Sequence, residues 1–466
     1  MAIRFYNSMG REKQDFVPLI PGKVSLYTCG PTVHNYAHIG NFRTFLFEDL
    51  LRRFLRFRGL EVTQVMNITD VDDKTIRRSQ EEGQSLGEYT GIYLKAFMED
   101  LDTLRIERAE HYPAATDHTP EMVEMIKQLR ERGHTYEHKG SIYFRLSSYP
   151  EYGRLSNVAP DQMVSSGRVD NDEYEKDDVR DFVLWKAWVP EDGDVFWETE
   201  LGKGRPGWHL ECSAMSIKYL GEHFDIHTGG VDNRFPHHEN EIAQSVCATG
   251  HPFVNYWMHS EFLLVENAKM SKSKGNFFTL RDLVGQGFDP VAIRFTILRV
   301  HYRQQMNLST EGLEQGAAAV RRIREFARRL AAGLDGSGAA EETARLVETC
   351  RRDFTEAMDD DLNTSGALGH FFTFLREANA LADAGKLSAE DGARMLEWVQ
   401  EVDSLFAILA EERDTDLESQ VEALVQARSQ AKADKDWARA DSLRQQISEL
   451  GYTVKDTPQG PVWSRD

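Results

Sequence analysis

A short run of mostly apolar residues from Lys23 to Cys29 predicts a buried strand. Phe42, Phe45, Leu46, Leu50, Phe54 and Leu55 then recur at helical spacing until Gly59 stops them, and Val62 to Ile68 predicts a second strand. Strand, helix and strand within about 45 residues make a crossover unit, and a crossover unit implies a parallel sheet with helices on its faces. The chain therefore opens as an α/β fold.

The pattern changes between Pro120 and Pro206. A helix over Glu121 to Arg132 and a hairpin turning at Lys139-Gly140 are followed by an acidic, aromatic stretch from Asp170 to Trp197, which predicts an insertion. The α/β pattern returns with a helix over Trp208 to Leu220, a strand over Phe224 to His227, a helix over His237 to Thr249 and a strand over Val254 to His259. Two halves of one sheet are thus separated in sequence. Beyond Glu311 strand signals stop and helical segments follow one another, with breaks at 333–338, 359–364 and 411–416. The last segment predicts a helix over Asp436 to Leu450, ended by Gly451, and a small hairpin over Tyr452 to Trp463. These shifts divide the chain at 1–120, 121–206, 207–268, 269–310, 311–410 and 411–466.

Composition narrows the class. A hydrophobic fraction of 41% with 10% aromatics suits a packed protein of 466 residues and excludes a disordered or collagen-like chain. The balance of 55 basic against 76 acidic residues leaves −21, which opposes indiscriminate binding of polyanions and admits only a local basic groove. The four cysteines, Cys29, Cys212, Cys247 and Cys350, form no close pair, so neither a disulfide scaffold nor a zinc ribbon is indicated. Charges from Arg4 to Asp15 break any signal-peptide core, and no stretch is apolar enough to span a bilayer. The expectation is a soluble cytoplasmic monomer in a reducing compartment, with no role for Cys247 or Cys350.

Candidate chemistry lies where strands end. Cys29-Gly30-Pro31-Thr32-Val33 closes the first strand, and His38-Ile39-Gly40-Asn41 opens the following helix. Free N–H groups at such a place favour phosphate, and an imidazole beside them can donate to phosphoryl oxygens as their charge grows. Lys269-Met270-Ser271-Lys272-Ser273-Lys274-Gly275-Asn276 places lysines in a loop whose serines and glycine let the backbone move, so that ammonium groups can close over a triphosphate. The two segments resemble the HIGH and KMSKS signatures of class I aminoacyl-tRNA synthetases, with Asn41 in place of the second histidine. The acidic runs Asp70, Asp72, Asp73 and Asp359-Asp360-Asp361 are read as helix caps or solvated loops, not metal sites.

His237 and Glu241 stand four apart on a predicted helix and so share a face, which His238 does not; His238, the rival ligand, is expected to point away. With Cys29 and Cys212 they make a donor set suited to zinc. Spacing alone favours buried apolar cysteines instead. The flanking segments Thr28–Val33, Asn67–Lys74, Gly207–Ser213 and Phe235–Glu241 resemble cysteinyl-tRNA synthetases, and the resemblance spans essentially the whole chain. Thr228 stands where that family commonly has glycine, and His34 where it has tyrosine.

The resemblance implies a Rossmann-like catalytic domain (1–120 and 207–268) split by a connective insertion (121–206). A KMSKS and stem-contact region (269–310), a helical bundle (311–410) and an anticodon-binding terminal module (411–466) follow. It implies Zn²⁺ on Cys29, Cys212, His237 and Glu241, and places Thr69, Trp208, His227 and Asp232 around the amino acid. ATP with Mg²⁺ falls to His38, Gly40, Asn41, Lys269, Met270, Ser271, Lys272 and Ser273, of which His38, Lys269 and Lys272 are catalytic. The implied substrates are L-cysteine, ATP and tRNA(Cys). The competing reading is a cysteine ligase of mycothiol synthesis acting on an amino sugar, which would have no use for an RNA-reading tail. That tail carries Arg428, Lys432, Lys435, Arg439, Arg444 and Lys455 among Trp437, Tyr452 and Trp463. Trp437, on a helix, is expected in the core, and Trp463, with Arg439 and Arg444, on the RNA.

Overall fold

The structure, a computed structural model, describes residues 2–158, 178, 180–269, 276–409, 415–434, 436–457 and 460–465. They form two compact units, Met1–Ile408 and Leu409–Asp466.

The first unit begins with a hairpin that the pattern did not predict, β1 (Arg4–Asn7) with β2 (Glu12–Asp15), whose sparse alternation carries little signal. The predicted crossover follows as β3 (Lys23–Thr28), α1 (Ile39–Phe57) and β4 (Glu61–Met66), with β3 parallel to β4. The helix α1 ends where Gly59 takes a φ of +80°, a conformation glycine adopts without steric cost. Asp72 caps helix α2 (Asp73–Glu81) by accepting from Thr75 N at 2.6 Å, as expected of a carboxylate at a helix start. Asp73 pairs with Lys186 at 2.6 Å and with Arg205. Helices α3 (Leu86–Thr103) and α4 (Thr119–Glu131) complete this half.

The insertion is more regular than its sequence shows. The predicted hairpin is β5 (Thr135–His138) and β6 (Ser141–Phe144), turning through Lys139 and Gly140, both at positive φ. To it are added β7 (Phe182–Ala187), β8 (Trp197–Thr199) and β9 (Gly202–Pro206), giving the antiparallel order β5-β6-β7-β9-β8. Aromatic residues in the acidic stretch turn inward, with Trp185 fully buried and Phe182 stacked on Phe144 at 4.9 Å.

The second half-sheet supplies α5 (Trp208–Leu220), β10 (Phe224–Gly230), α6 (Glu239–Thr249) and β11 (Val254–Ser260). The four long strands join in the parallel order β11-β10-β3-β4, so the two halves meet between β10 and β3. The predicted helix over His237 to Thr249 is corrected: regular α6 starts at Glu239, and a wider turn over Arg234–His238 precedes it. Proline at 236 explains this, since it can neither donate a backbone hydrogen bond nor leave its predecessor helical.

Short strands β12 (Leu263–Val265), β13 (Ala268–Lys269) and β14 (Met306–Leu308) make a three-stranded sheet. Helices α7 (Leu280–Gly285), α8 (Pro290–Leu298), α9 (Thr310–Ala331), α10 (Ala340–Asp359), α11 (Thr364–Asp383) and α12 (Ala389–Phe406) follow. A buried pair locks α1 to this region: Arg294 donates to Asp49 at 2.6 Å and to the Phe406 carbonyl at 2.6 Å, so the charge leaves water with its donors satisfied. The acidic run after α10 is not solvated as expected. Asp359 and Asp361 are buried, and Asp361 accepts from Tyr6 N at 2.8 Å, Tyr302 Oη at 2.6 Å and Arg303 Nε at 2.7 Å. Asp360, at the carboxyl end of α10, serves there as its cap.

The second unit contains α13 (Thr415–Ala433), α14 (Trp437–Glu449), β15 (Tyr452–Thr457) and β16 (Gly460–Arg465), the last two antiparallel. Val421, Val425, Ile447, Tyr452 and Val454 form its core. Tyr452 and Arg428 are thus buried and do not face solvent, whereas Trp437, expected in the core, is 60% exposed.

Candidate active site

The residues expected to meet the nucleotide begin at a helix start. The His38 Nδ1 accepts from Asn41 N at 3.1 Å, and the Asn41 side chain accepts from His38 N at 3.0 Å, a reciprocal cap on α1. Asparagine at this position thus finishes the helix end, a task its short amide performs without a second imidazole. An Nδ1 that accepts carries no hydrogen, so neutral His38 holds its proton on Nε2, as a donor. Burial lowers the His38 pKa, while the Asp232 carboxylate opposes that shift. Gly40 lies in the first turn of α1.

The lysine-rich loop leaves from Lys269 at the end of β13, and the chain returns beside His38. Ile39 N donates to Phe278 O at 2.9 Å, Thr279 bridges to His38, and the Phe277 ring meets the imidazole edge-on at 5.3 Å. Met270, Ser271, Lys272, Ser273, Lys274 and Gly275 lie outside the described residues, as does the Lys269 side chain.

The second cluster lies where β3 and β10 end. Cys29 follows β3, Cys212 projects from α5, His237 sits in the wide turn and Glu241 in the first turn of α6. Their ligand atoms all lie within 4.8 Å of one another. His237 Nε2 is 3.0 Å from Glu241 Oε1, a buried carboxylate oxygen. His237 Nδ1 is 2.8 Å from His209 Nδ1, and Trp208 stacks on the His237 ring at 4.4 Å, so the imidazole is held in one orientation. His237 is thus brought to Glu241 although it lies outside the regular helix.

His238 does not point away. It is fully buried, with Nε2 at 3.3 Å from Cys29 Sγ and 3.9 Å from Glu241 Oε1. The expectation assumed ideal helical directions, and the wide turn turns both imidazoles inward. Cys29, His227, His238 and Glu241 consequently form a second, overlapping group of convergent donors.

Charge in this pocket is organised. Burial pushes the Glu241 carboxyl up, but His227 and His237 outweigh it and hold it at about 2. Burial depresses His237, and the charges of Glu241 and Cys212 lift it to about 10. For Cys212, burial is overcome by the hydrogen bond from Cys29 and by His237, which bring the thiol down to about 6. Cys29, hydrogen-bonded to Cys212 and buried, is raised well above the ordinary thiol value. The pocket thus favours the charged forms of Glu241 and His237 and lowers one thiol while raising the other. Two sulfurs, an imidazole nitrogen and a carboxylate oxygen, their ligand atoms all within 4.8 Å of one another, are a donor set that fits zinc.

Of the residues expected around an amino acid, Thr69 is buried and donates to Glu211 Oε2 at 2.8 Å. His227 is buried too, and its Nε2 lies 2.9 Å from Glu241 Oε2. Trp208 is 39% exposed at the rim. Asp232 follows β10 and folds back over Gly230, where a Cβ would stand 2.4 Å from Asp232 Oδ1. Gly30 is equally constrained, since a Cβ there would lie 1.7 Å from the Asn67 carbonyl oxygen. His209, Glu211, His238 and His259 belong to this pocket and were not assigned to it from sequence; the dense spacing of His237-His238 was the one available signal. Arg439 and Arg444 are exposed on α14, and the Trp463 side chain lies outside the described residues. Among the described residues no helix is long and apolar enough to cross a membrane.

Comparison with known proteins gives consistent matches. The family described as tRNA synthetases class I (C) catalytic domain matches residues 15–318, the DALR domain residues 353–410, and the cysteinyl-tRNA ligase anticodon binding domain residues 414–463. The chain is 48% identical to a cysteine–tRNA ligase of Brachyspira hyodysenteriae over 99% of both chains. It is 46% identical to one of Solibacter usitatus over 100% of both. Among solved structures it resembles Mycobacterium tuberculosis methionyl-tRNA synthetase in complex with methionyl-adenylate, with a TM-score of 0.60, 15% identity and coverage of 83% of this chain and 90% of that one. A putative arginyl tRNA synthetase from Campylobacter jejuni gives a TM-score of 0.55 at 13% identity, over 83% of this chain and 92% of that one. These structural likenesses bear on the fold alone.

Proposed function

The chain belongs to the cysteine–tRNA ligases, within the class I aminoacyl-tRNA synthetases, and from that premise we propose that Cys29, Cys212, His237 and Glu241 hold a zinc ion that selects the amino acid. The observation that carries the reading is the convergence of these four donors within 4.8 Å at the carboxyl ends of two adjacent parallel strands. Bound there, zinc supplies a seat that a thiolate fills well and a hydroxyl poorly, where a pocket of matching shape alone separates such analogues only ~10²-fold.

Trp208 and Asp232 stand at the mouth of this pocket, with Thr69 and His227 behind them, and enclose the amino acid. The cysteine carboxylate is already ionised, so attack on the α-phosphorus of ATP needs no protein nucleophile; catalysis is positioning and charge stabilisation. His38 serves it by donating from Nε2 to phosphoryl oxygens at the capped start of α1, with Gly40 and Asn41 framing the nucleotide. Lys269 and Lys272, carried with Met270, Ser271 and Ser273, neutralise the departing pyrophosphate, to which Mg²⁺ also binds. The cysteinyl group then passes to a ribose hydroxyl at the tRNA 3′ end.

The match of 414–463 to an anticodon-binding family supports tRNA over an amino sugar as acceptor. Arg439, Arg444 and Trp463 are our assignments for RNA contact, with exposed Trp437 beside them in sequence. The cysteines are free, which supports action in the reducing cytoplasm, and we assign the chain as a monomer.

Metal analysis with anomalous scattering tests the zinc site: one zinc per chain among the four named side chains is expected, and none there overturns it. A chain ending at residue 409 should retain cysteine-dependent pyrophosphate exchange and lose most tRNA charging. Undiminished charging would remove the tail from RNA recognition.

A further inference from the structure

Two buried arginines of the first unit meet carboxylates, Arg52 that of Glu110 at 2.5 Å and Arg294 that of Asp49 at 2.6 Å. Arg43, 2% exposed, pairs with none among the described residues. Its two terminal nitrogens donate instead to four backbone carbonyls. Nη1 reaches Ile297 O at 2.7 Å and Val300 O at 3.0 Å, and Nη2 reaches His301 O at 2.6 Å and Gln304 O at 3.2 Å. Those oxygens belong to the last turn of α8 and the irregular turn after it, where regular helical pairing has ended. A planar guanidinium with two forked nitrogens can span four such oxygens, whereas an ammonium, donating from one point, cannot hold them all.

The turn so held is the root of the three-stranded sheet. Tyr302 O accepts from Glu261 N at 2.8 Å and Phe262 O from Met306 N at 3.1 Å, so the turn sets β14 against β12. Asn307 Oδ1 accepts from Asn267 N at 2.7 Å and fixes the bend between β12 and β13, and β13 ends at Lys269. The residues after the lysine-rich segment return to the same scaffold. Asn276 Nδ2 donates to Val265 O at 3.4 Å, and Phe278 O accepts from Ile39 N at 2.9 Å. Ile39 and Arg43 stand four apart on α1, the helix that His38 caps. That one helix therefore carries the imidazole and ties down both flanks of the lysine-rich segment.

We propose that Arg43 is a positioning residue for the ATP chemistry: by holding the turn over 297–304 it fixes the sheet β13-β12-β14, and with it the point where the lysine-rich segment leaves, relative to His38. The inference rests on the reading above that His38 and the lysines act on the phosphates of ATP. Groups from distant segments can stabilise one moving charge only if they share a frame, and a misplacement of about 1 Å costs roughly 10²-fold in rate. Arg43 supplies that frame through carbonyl oxygens, so it makes no demand on the side chains at 297, 300, 301 and 304. Phe47, four residues further along α1, stacks on Tyr302 at 4.3 Å and supports the same turn by packing. Substituting Arg43 therefore removes the hydrogen bonds while leaving this apolar contact in place.

The test is a double-mutant cycle in the full chain. Wild type, Arg43→Lys, Arg43→Gln, Lys272→Ala and the double variant carrying Arg43→Lys and Lys272→Ala are compared in cysteine-dependent pyrophosphate exchange, with thermal unfolding to follow the fold. Arg43→Lys should lower kcat roughly 10–100-fold, the scale of a small misplacement, and leave KM for cysteine within about twofold of wild type. Arg43→Gln, with one terminal nitrogen, should lose at least as much. In the Lys272→Ala background Arg43→Lys should cost less than about threefold, because most of what Arg43 positions is already gone. A residue that only stabilises the core would instead cost the same factor in both backgrounds. Equal losses in both, a change confined to KM for cysteine, or full activity of Arg43→Lys would overturn the proposal. Failure of both Arg43 variants to fold would overturn it too, since Arg43 would then serve the core alone. A Lys272→Ala protein as active as wild type would overturn instead the assignment of the lysines on which the proposal stands.

Discussion

The proposed amino-acid end and the proposed nucleotide end of this site are built on opposite principles. At the amino-acid end the four proposed ligands and three histidines around them are buried or nearly so, and nearly every polar atom has a fixed partner. At the proposed nucleotide end the assigned parts are a helix start capped by His38 and Asn41 and the lysine-rich segment whose following residues return beside it. The difference follows from what each must recognise. A sulfur in place of an oxygen is a small distinction that only a rigid, desolvated set of donors can enforce, whereas a triphosphate offers large charge that backbone N–H groups and reaching ammonium groups meet without exact fit. Rigidity is placed where selectivity is needed, and reach where charge moves.

Breaking the amino-acid end should have the largest effect. Cys212→Ser removes one of two sulfurs and should abolish metal binding and cysteine activation together, a loss above ~10³-fold in pyrophosphate exchange. Full metal content with unchanged cysteine affinity would show that the pocket selects without it. At the nucleotide end, Lys272→Ala should slow adenylate formation roughly 10²–10³-fold while leaving KM for cysteine near the wild-type value, since its ammonium acts mainly as charge moves to pyrophosphate. A change confined to cysteine affinity would erase the division between the two ends.

The ends should also differ in pH response. Ligation requires a deprotonated Cys29 and a neutral His237, and both pKa values are raised in the metal-free pocket, to about 10 for His237. Two protons must therefore leave as metal enters, so apparent metal affinity should climb by up to about two decades per pH unit below that range. A competitive-chelator titration between pH 6 and 9 measures it, and a flat profile would contradict the charge assignment. The smallest effect is expected for Asn41→Ala, which removes half of the reciprocal cap: a stability loss of about 1 kcal/mol in denaturant titration, with KM for ATP raised and KM for cysteine unchanged. Asn41→Asp, which keeps the acceptor, should recover the stability.

Much of this was legible in the chain itself. Apolar spacing from Phe42 to Leu55 and the runs at Lys23 and Val62 specify a crossover unit, because burial on one face leaves a periodic trace. His38 and Asn41 are readable for a related reason, since a reciprocal cap is a contact between residues three apart. The lysine loop is readable from its octapeptide. The strands of the insertion were less so: β7 is buried along nearly all its length and β8 and β9 are short, so none of the three shows the alternation of a half-exposed strand.

What the sequence alone determined, then, was local: element types, helix starts, the crossover order and the types of donor available to a metal. Only the tertiary structure decided which donors meet. Cys29 and Cys212 are 183 residues apart in sequence and come together because β3 pairs with β10 and α5 packs against β3. Whether His238 faces that point or leaves it was undetermined by spacing, because the proline at 236 replaces ideal helical directions with a wide turn that sends two consecutive imidazoles inward. His209 could not be connected to His237 from sequence at all. A hydrogen bond reaches about 3 Å, and which distant residues come within that reach is set by the packing of strands and turns, not by any pattern along the chain.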